Sequence, residues 1–301
     1  AAYNGHEAII QALVDKGANL EAKNRYEETP LHVSAQKGHA AAIQALLDEG
    51  ANLEAKNEDG KTSLHLAAQE GHSAAIQALV DKGANLETKN RYEETPLHLA
   101  IENGDLSAIQ ALLDNGANLE AKNRYEETPL HWVARNGDLS AIQALLDKGA
   151  DLEAKDNDGK TPLHWAVQNG REAAIQALLD KGANLEGKNR CGGYTLLHLA
   201  AQKGHAAAIQ ALVDKGANLE AKDELGHTSL HWAAAKGHKA AIQALLAKGA
   251  NLEAKGRKGR FSWTPLHLAA KEGHAAAIQA LLAKGANLEA KMNWVILRCT
   301  G

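Results

Sequence analysis

Histidine is the residue type in this chain with the most chemistry to offer. There are 15 among 301 residues, and imidazole serves both as a metal ligand and as a general base. Eight stand fourth in a recurring Thr-x-Leu-His: His32, His65, His98, His131, His164, His198, His231 and His267. Six more directly follow a glycine: His6, His39, His72, His205, His238 and His274. Only His227 lies outside these two columns. Zinc needs several donors about 2 Å from one ion. Residues that recur once per repeat are expected one packing layer apart, ~10 Å, too far to share an ion. No metal or cofactor is expected, and the histidines are read as structural polar groups at loop–helix junctions. Nor does a nucleophile–base pair stand out: Gly-x-Ser-x-Gly, the P-loop and His-Glu-x-x-His are all missing from the sequence. The expectation is a protein that is not an enzyme.

The columns belong to a short period. The threonines of Thr-x-Leu-His stand at 29, 62, 95, 128, 161, 195, 228 and 264, in steps of 33 with one of 34 and one of 36. Ala-Ile-Gln-Ala-Leu and Gly-Ala-Asn/Asp-Leu-Glu keep the same rhythm. In residues 123–155, Thr128-Pro129 opens a helix, because proline suits a first turn. Gly137 stops it in a left-handed cap. Ile142, Leu145 and Leu146 mark a second helix that ends at Gly149. Asp151 to Lys160 reads as an extended turn around Asp158-Gly159. Two helices of roughly ten residues bury their apolar faces only by stacking on like units.

A period of 33 built on Thr-Pro-Leu-His-x-Ala resembles the ankyrin-repeat family, and the resemblance runs from end to end. It implies an all-α repeat solenoid of helix-turn-helix units whose loops project as β-hairpin fingers. Read this way, residues 1–301 form a single domain: a partial repeat at 1–23, eight repeats over 24–290 and a tail or cap at 291–301. The resemblance also implies a concave binding face made by fingertips and first helices, with a protein as the partner.

Differences between the repeats point to candidate residues. The second helices are nearly constant; the fingertips and first-helix ends vary. Three tips share Asn-Arg-Tyr-Glu-Glu, placing Arg25 and Tyr26, Arg91 and Tyr92, and Arg124 and Tyr125 at their ends. These residue types are enriched in binding hot spots; the alternative is a solvated tip whose tyrosine packs on the next finger. Glu27, Glu93 and Glu126 fall where the family has glycine, so either the turn changes type or a left-handed cost of roughly 1 kcal/mol is borne. Trp132, Trp165 and Trp232 share a first-helix column, read as core packing, with partial exposure to the concave groove as the alternative. Arg135 lies just beyond it. The longest finger, 256–263, carries Arg257, Lys258 and Arg260 with Phe261 and Trp263. It suits an acidic protein, or phosphate or single-stranded nucleic acid, or is a mobile loop with no role. A column of glutamates from Glu21 to Glu289, with lysines two residues on, reads as a strand-like charge ladder.

Composition narrows the classes. A net charge of −4 with 45% hydrophobic residues argues against disorder and against a general polyanion binder, so nucleic acid is not the expected partner. Two cysteines, Cys191 and Cys299, form no disulfide framework. No apolar run approaches the roughly 20 residues of a membrane span, and the first residues lack a signal-peptide layout. The expectation is therefore an intracellular, cytoplasmic monomer. Met292 is the only methionine, so the chain reads as a processed product or excised fragment. The leading functional reading is a protein-binding scaffold. A targeting or regulatory segment of a larger enzyme or effector, and a structural spacer, stand as alternatives.

Overall fold

A computed structural model describes residues 1–189, 192–258 and 261–289. Among them are 17 α-helices, a short 3-10 turn at Ala2–Asn4 and one two-stranded hairpin. The helices are 7 to 9 residues long, slightly shorter than the sequence suggests. No helix among the described residues is long and apolar enough to cross a membrane.

The chain divides into two units, residues 1–133 with 138–154, and residues 134–137 with 155 onward. The first holds α1 (Glu7–Val14), α2 (Pro30–Gln36), α3 (Ala40–Asp48), α4 (Ser63–Gln69), α5 (Ser73–Asp81), α6 (Pro96–Asn103) and α7 (Leu106–Asp114). It also holds the start of α8 (Pro129–Asn136) and all of α9 (Leu139–Asp147). The second holds α10 (Pro162–Gln168), α11 (Glu172–Asp180), α12 (Leu196–Lys203), α13 (Ala206–Asp214), α14 (Ser229–Ala235) and α15 (Lys239–Ala247). Strands β1 (Gly256–Lys258) and β2 (Phe261–Trp263) follow, then α16 (Pro265–Lys271) and α17 (Ala275–Leu282). Within each unit first helices stack on first helices (α2, α4, α6; α10, α12, α14, α16) and second on second (α3, α5, α7; α11, α13, α15, α17). This is an all-α repeat solenoid architecture. Ile43, Ile76, Ile109 and Ile142 in one unit, and Ile175, Ile209 and Ile242 in the other, are fully buried. Each supplies the apolar stripe that its own short helix cannot shield alone.

The histidines tie the layers together. In the first column each ring sits behind its own threonine, and five of them reach the next loop. Thr95 N–H donates to His98 Nδ1 at 3.3 Å, and the Thr95 hydroxyl lies 2.9 Å from the same nitrogen. Because Nδ1 accepts, the proton is on Nε2, which donates to Glu127 O at 3.3 Å. His32, His65, His198 and His231 reach Lys61 O, Glu94 O, His227 O and Trp263 O in the same way. The second column reaches backwards: His72 Nε2 donates to Gln36 O and His238 Nε2 to Gln202 O, each at 3.1 Å. At Gly5, Gly38, Gly170, Gly204 and Gly237 the glycine before the second helix makes room for the histidine of the next repeat. A Cβ on Gly204 (φ +80°) would stand 2.8 Å from the His238 ring. Arg171 replaces histidine at one junction and donates from Nε to Arg135 O at 3.1 Å.

The glutamate–lysine ladder is corrected. These residues lie in turns, not strands, and each glutamate carboxylate accepts a backbone N–H of the next repeat instead of facing a lysine. Glu21 takes Asn52 N–H, Glu54 Asn85 N–H and Glu87 Asn118 N–H, all at 2.8 Å. In the second unit Glu220 takes Asn251 N–H at 2.8 Å and Glu253 takes Asn287 N–H at 2.9 Å. Satisfying an otherwise unpartnered amide is worth more than an exposed ion pair.

Candidate functional site

The fingers are tight turns fixed by their first residue. Asn24 Oδ1 accepts from Tyr26 N–H and Glu28 N–H at 2.9 and 3.0 Å, and Asn90 and Asn123 repeat the arrangement. Glu27, Glu93 and Glu126 keep the left-handed conformation, at φ 59°, 60° and 60°. The turn type is unchanged and the cost of a side chain there is borne. Each of these glutamates has a lysine partner: Lys23 at 3.3 Å, Lys89 at 3.7 Å and Lys122 at 2.8 Å. The Lys122 ammonium holds the Glu126 carboxyl below its ordinary pKa.

The three tyrosines are exposed at the tips, Tyr26 by 43%, Tyr92 by 42% and Tyr125 by 53%. Fingers are linked through their backbones: Glu58 N–H donates to Tyr26 O, Arg91 N–H to Asp59 O and Arg124 N–H to Tyr92 O. The arginines behave differently from one another. Arg25 lies over its own Tyr26 at 4.6 Å. Arg124 lies over Tyr92 of the preceding finger at 4.5 Å and over Tyr125 at 4.9 Å. Arg91 faces no tyrosine of the finger before it, because Asp59 stands there in place of the Tyr26 type.

The tryptophan column is half-buried, and each indole N–H is anchored on a buried carboxylate. Trp132 Nε1 donates to Glu127, Trp165 Nε1 to Asp156 and Trp232 Nε1 to Asp223, each at 2.9 Å. The sequence carries a signal for this that is easily missed. Finger-opening residues are asparagine at Asn24, Asn57, Asn90, Asn123 and Asn189, but aspartate at Asp156 and Asp223. Both aspartates precede a tryptophan. One oxygen of Asp156 accepts the turn amides of Asp158 and Lys160, as asparagine does, and the other takes the indole. An asparagine NH2 would meet the indole N–H donor to donor. Before Trp132 the asparagine is kept, and Glu127 accepts both Asn123 Nδ2 and the indole. A double-mutant cycle on Trp165→Leu and Asp156→Asn is expected to give a coupling of about 1–2 kcal/mol in urea unfolding. Additive losses would show that the two changes in the repeat are unrelated.

Trp165 also carries Arg135 over its ring at 4.3 Å and Lys160 at 4.7 Å. Trp232 meets Tyr194 edge-on at 5.2 Å. In the long finger Gly256–Lys258 pairs antiparallel with Phe261–Trp263. Trp263 is half-buried and packs edge-on against His267 at 6.0 Å. Only the backbone of Arg257, Lys258 and Phe261 is described, and Arg260 lies outside the described residues, as do Cys191 and the apolar run Trp294–Leu297. Among the described residues no three His, Cys, Asp or Glu side chains are grouped to hold a metal.

The opposite side of each unit is internally neutralised. On the second helices Gln110 donates to Asp114 one turn away, and Lys148 reaches Asp114 from the next repeat at 3.0 Å. Gln77 with Asp81, Lys82 with Asp48, and Lys215 with Asp180 follow suit.

A family model described as ankyrin repeats (3 copies) matches residues 1–90, 42–123, 97–189 and 185–256, and one described as ankyrin repeat matches 262–293. Among solved structures the human ASB11 ankyrin repeat domain is similar, at 28% identity and TM-score 0.66 over 74% of this chain and 99% of that one. The ankyrin repeat domain of Bcl-3, described as a unique member of the IkappaB protein family, is similar at 28% identity and TM-score 0.63. That likeness covers 71% of this chain and 96% of that one. No curated protein sequence matches the chain.

Proposed function

This chain belongs to the ankyrin-repeat family, and from that premise we propose that it is a non-catalytic scaffold that binds a protein partner through its fingertips and first helices. Ankyrin repeats are generally protein–protein interaction modules and generally do no catalysis. The observation that carries the reading is the split between constant and variable surface. The second helices repeat nearly the same residues and turn their charges on one another, leaving little to distinguish a partner. The tips concentrate exposed tyrosine and arginine at 25–26, 91–92 and 124–125, and the first helices offer half-buried tryptophan at 132, 165 and 232. Aromatic and arginine anchors of this kind dominate measured interfaces. The repeat columns run on without an interior linker, which supports reading residues 1–301 as one repeat domain.

The test is partner capture by the immobilised protein, with Tyr26, Tyr92 and Tyr125 all changed to Ala as the comparator. These side chains are exposed, so the variant is expected to keep its thermal midpoint. It is expected to lose at least one saturable partner retained by the parent chain. Unchanged recovery of every partner removes the tips as the main site.

A further inference from the structure

The near-balanced charge of the chain hides a segregation. Residues 1–133 with 138–154 carry 12 Lys and Arg against 25 Asp and Glu, a net −13. Residues 134–137 with 155–301 carry 21 against 12, a net +9. On the second helices lysine and aspartate cancel, as in Lys82 with Asp48 and Lys215 with Asp180. The end of each helix pair remote from the fingers shows no such balance. There five residues carry each first helix into its second, as 102–106 and 235–239 do. In the first unit these windows hold five acids and one lysine, a sum of −4. In the second unit they hold six bases and two acids, a sum of +4.

The main charges of these two strips are not engaged within the molecule. Glu70 caps α4 and Glu102 lies in the last turn of α6, and these helices stack. Lys203 and Lys236 stand at the ends of α12 and α14, which also stack, and Lys239 opens α15. All five side chains are exposed, and none has an ion-pair partner among the described residues. Lys203 and Lys236 suit their places, because the carboxyl end of a helix carries partial negative charge. Glu70 and Glu102 oppose that charge, so local helix stability does not account for them. Both strips repeat at the spacing of stacked helices, about 8–10 Å, because both are built from the same repeat. Laid against each other they are in step.

We propose that this protein pairs with a second copy of itself, the acidic strip of one copy's first unit receiving the lysine strip of the other copy's second unit. The contact lies away from the fingertips and leaves them free for the protein partner. It makes the chain self-associating in place of the expected monomer. Nucleic acid and anionic membrane also attract lysine, but the first unit at −13 repels both. Neither gives Glu70 and Glu102 a counterpart, whereas a second copy answers both strips at once.

Sedimentation velocity of the full chain at about 20 mM and about 500 mM salt tests it, since the Debye length falls from roughly 20 Å to roughly 4 Å between them. The mass is expected above the 31.9 kDa of one chain at low salt and equal to it at high salt. Lys203→Glu, Lys236→Glu and Lys239→Glu together are expected to weaken self-association at least about tenfold, and so are Glu70→Lys and Glu102→Lys together. Mixed in equal amounts, the two charge-reversed proteins are expected to associate with each other. The substituted side chains are exposed, so thermal midpoints should be kept; the salt series needs no variant and stands if one misfolds. A chain that is monomeric at low salt, or whose self-association ignores salt or either reversal, overturns the proposal. So does a mixture of the reversed proteins that stays monomeric. Lysine-dependent binding of duplex DNA or of phosphatidylserine vesicles by a chain that remains monomeric overturns it in favour of that polyanion.

Discussion

Lowering the pH from 7 to 5 is expected to unfold this protein far more readily than its surface charges alone would. Burial pushes the imidazoles of His65, His98, His164 and His231 down to about 4, against an ordinary value of 6.5. His32 and His198 are lowered for the same reason. In His32, His65, His98, His198 and His231 the carbonyl that Nε2–H serves pulls the other way and loses to desolvation. In the unfolded chain these rings titrate near 6.5. Between about 6.5 and about 4 the unfolded state therefore binds more protons, so stability falls as pH falls through that window and is fully present above it. Linkage puts the loss from pH 7 to pH 5 at about 2 kcal/mol per histidine, on the order of 7 kcal/mol for the four. Structure gives the same sign: a proton on Nδ1 removes the acceptor that both the threonine N–H and hydroxyl use. The carboxyls of Asp48, Asp114, Asp180 and Asp214 are held low by lysine hydrogen bonds. Their contribution fades only below the ordinary carboxylate range, so the two effects separate on the pH axis. Urea unfolding followed by circular dichroism at pH 7, 6 and 5 measures the slope. A stability unchanged to within about 1 kcal/mol would contradict the assignment of these rings as buried and neutral.

His98→Ala is expected to cost about 3–4 kcal/mol, among the larger effects available to a single substitution here. His98 is fully buried. Its removal orphans Thr95 N–H, the Thr95 hydroxyl and Glu127 O, and takes away the edge-to-face contact with Trp132 at 5.4 Å. Each stranded polar group costs about 1–3 kcal/mol, and the cavity adds to that. Glu127 belongs to the following finger, so the loss falls on the coupling between neighbouring repeats, the term that makes such arrays fold together. Hydrogen exchange should locate the new opening at α6 and the 123–127 finger. His72→Ala is the control. Its ring is half-buried and bonds Gln36 O through Nε2, so about 1 kcal/mol is expected. Equal costs at the two positions would mean that the histidine columns do not differ in the way their burial implies.

Most of the fold was legible in the sequence because the period is written in residues that have few other uses. Thr-x-Leu-His states a helix start and its cap together. Gly137 and Gly149 state two helix ends, and the structure has them at φ 83° and 92°. Ile142 and Leu145 state the buried stripe. The site was legible only as composition: arginine, tyrosine and tryptophan at variable positions. Which arginine stacks on which tyrosine was not, because Arg25, Arg91 and Arg124 occupy identical local sequences. Only the finger placed alongside distinguishes them, Asp59 for Arg91 and Tyr92 for Arg124. The glutamate column was misread for a related reason. Two residues apart suggested a shared face with lysine, but the nearest unsatisfied donor was an amide 31 residues on.

The sequence by itself thus determined the repeat, the helix boundaries, the caps and the buried face, since these follow from local propensity and period. Tertiary structure alone decided what each polar side chain does: which carbonyl a histidine holds, which amide a glutamate satisfies, which carboxylate receives an indole, and which arginine meets two tyrosine rings. The physical reason is that a 33-residue step brings distant polar groups within hydrogen-bond range. Their partners are therefore set by the packing of one layer on the next and not by neighbours along the chain.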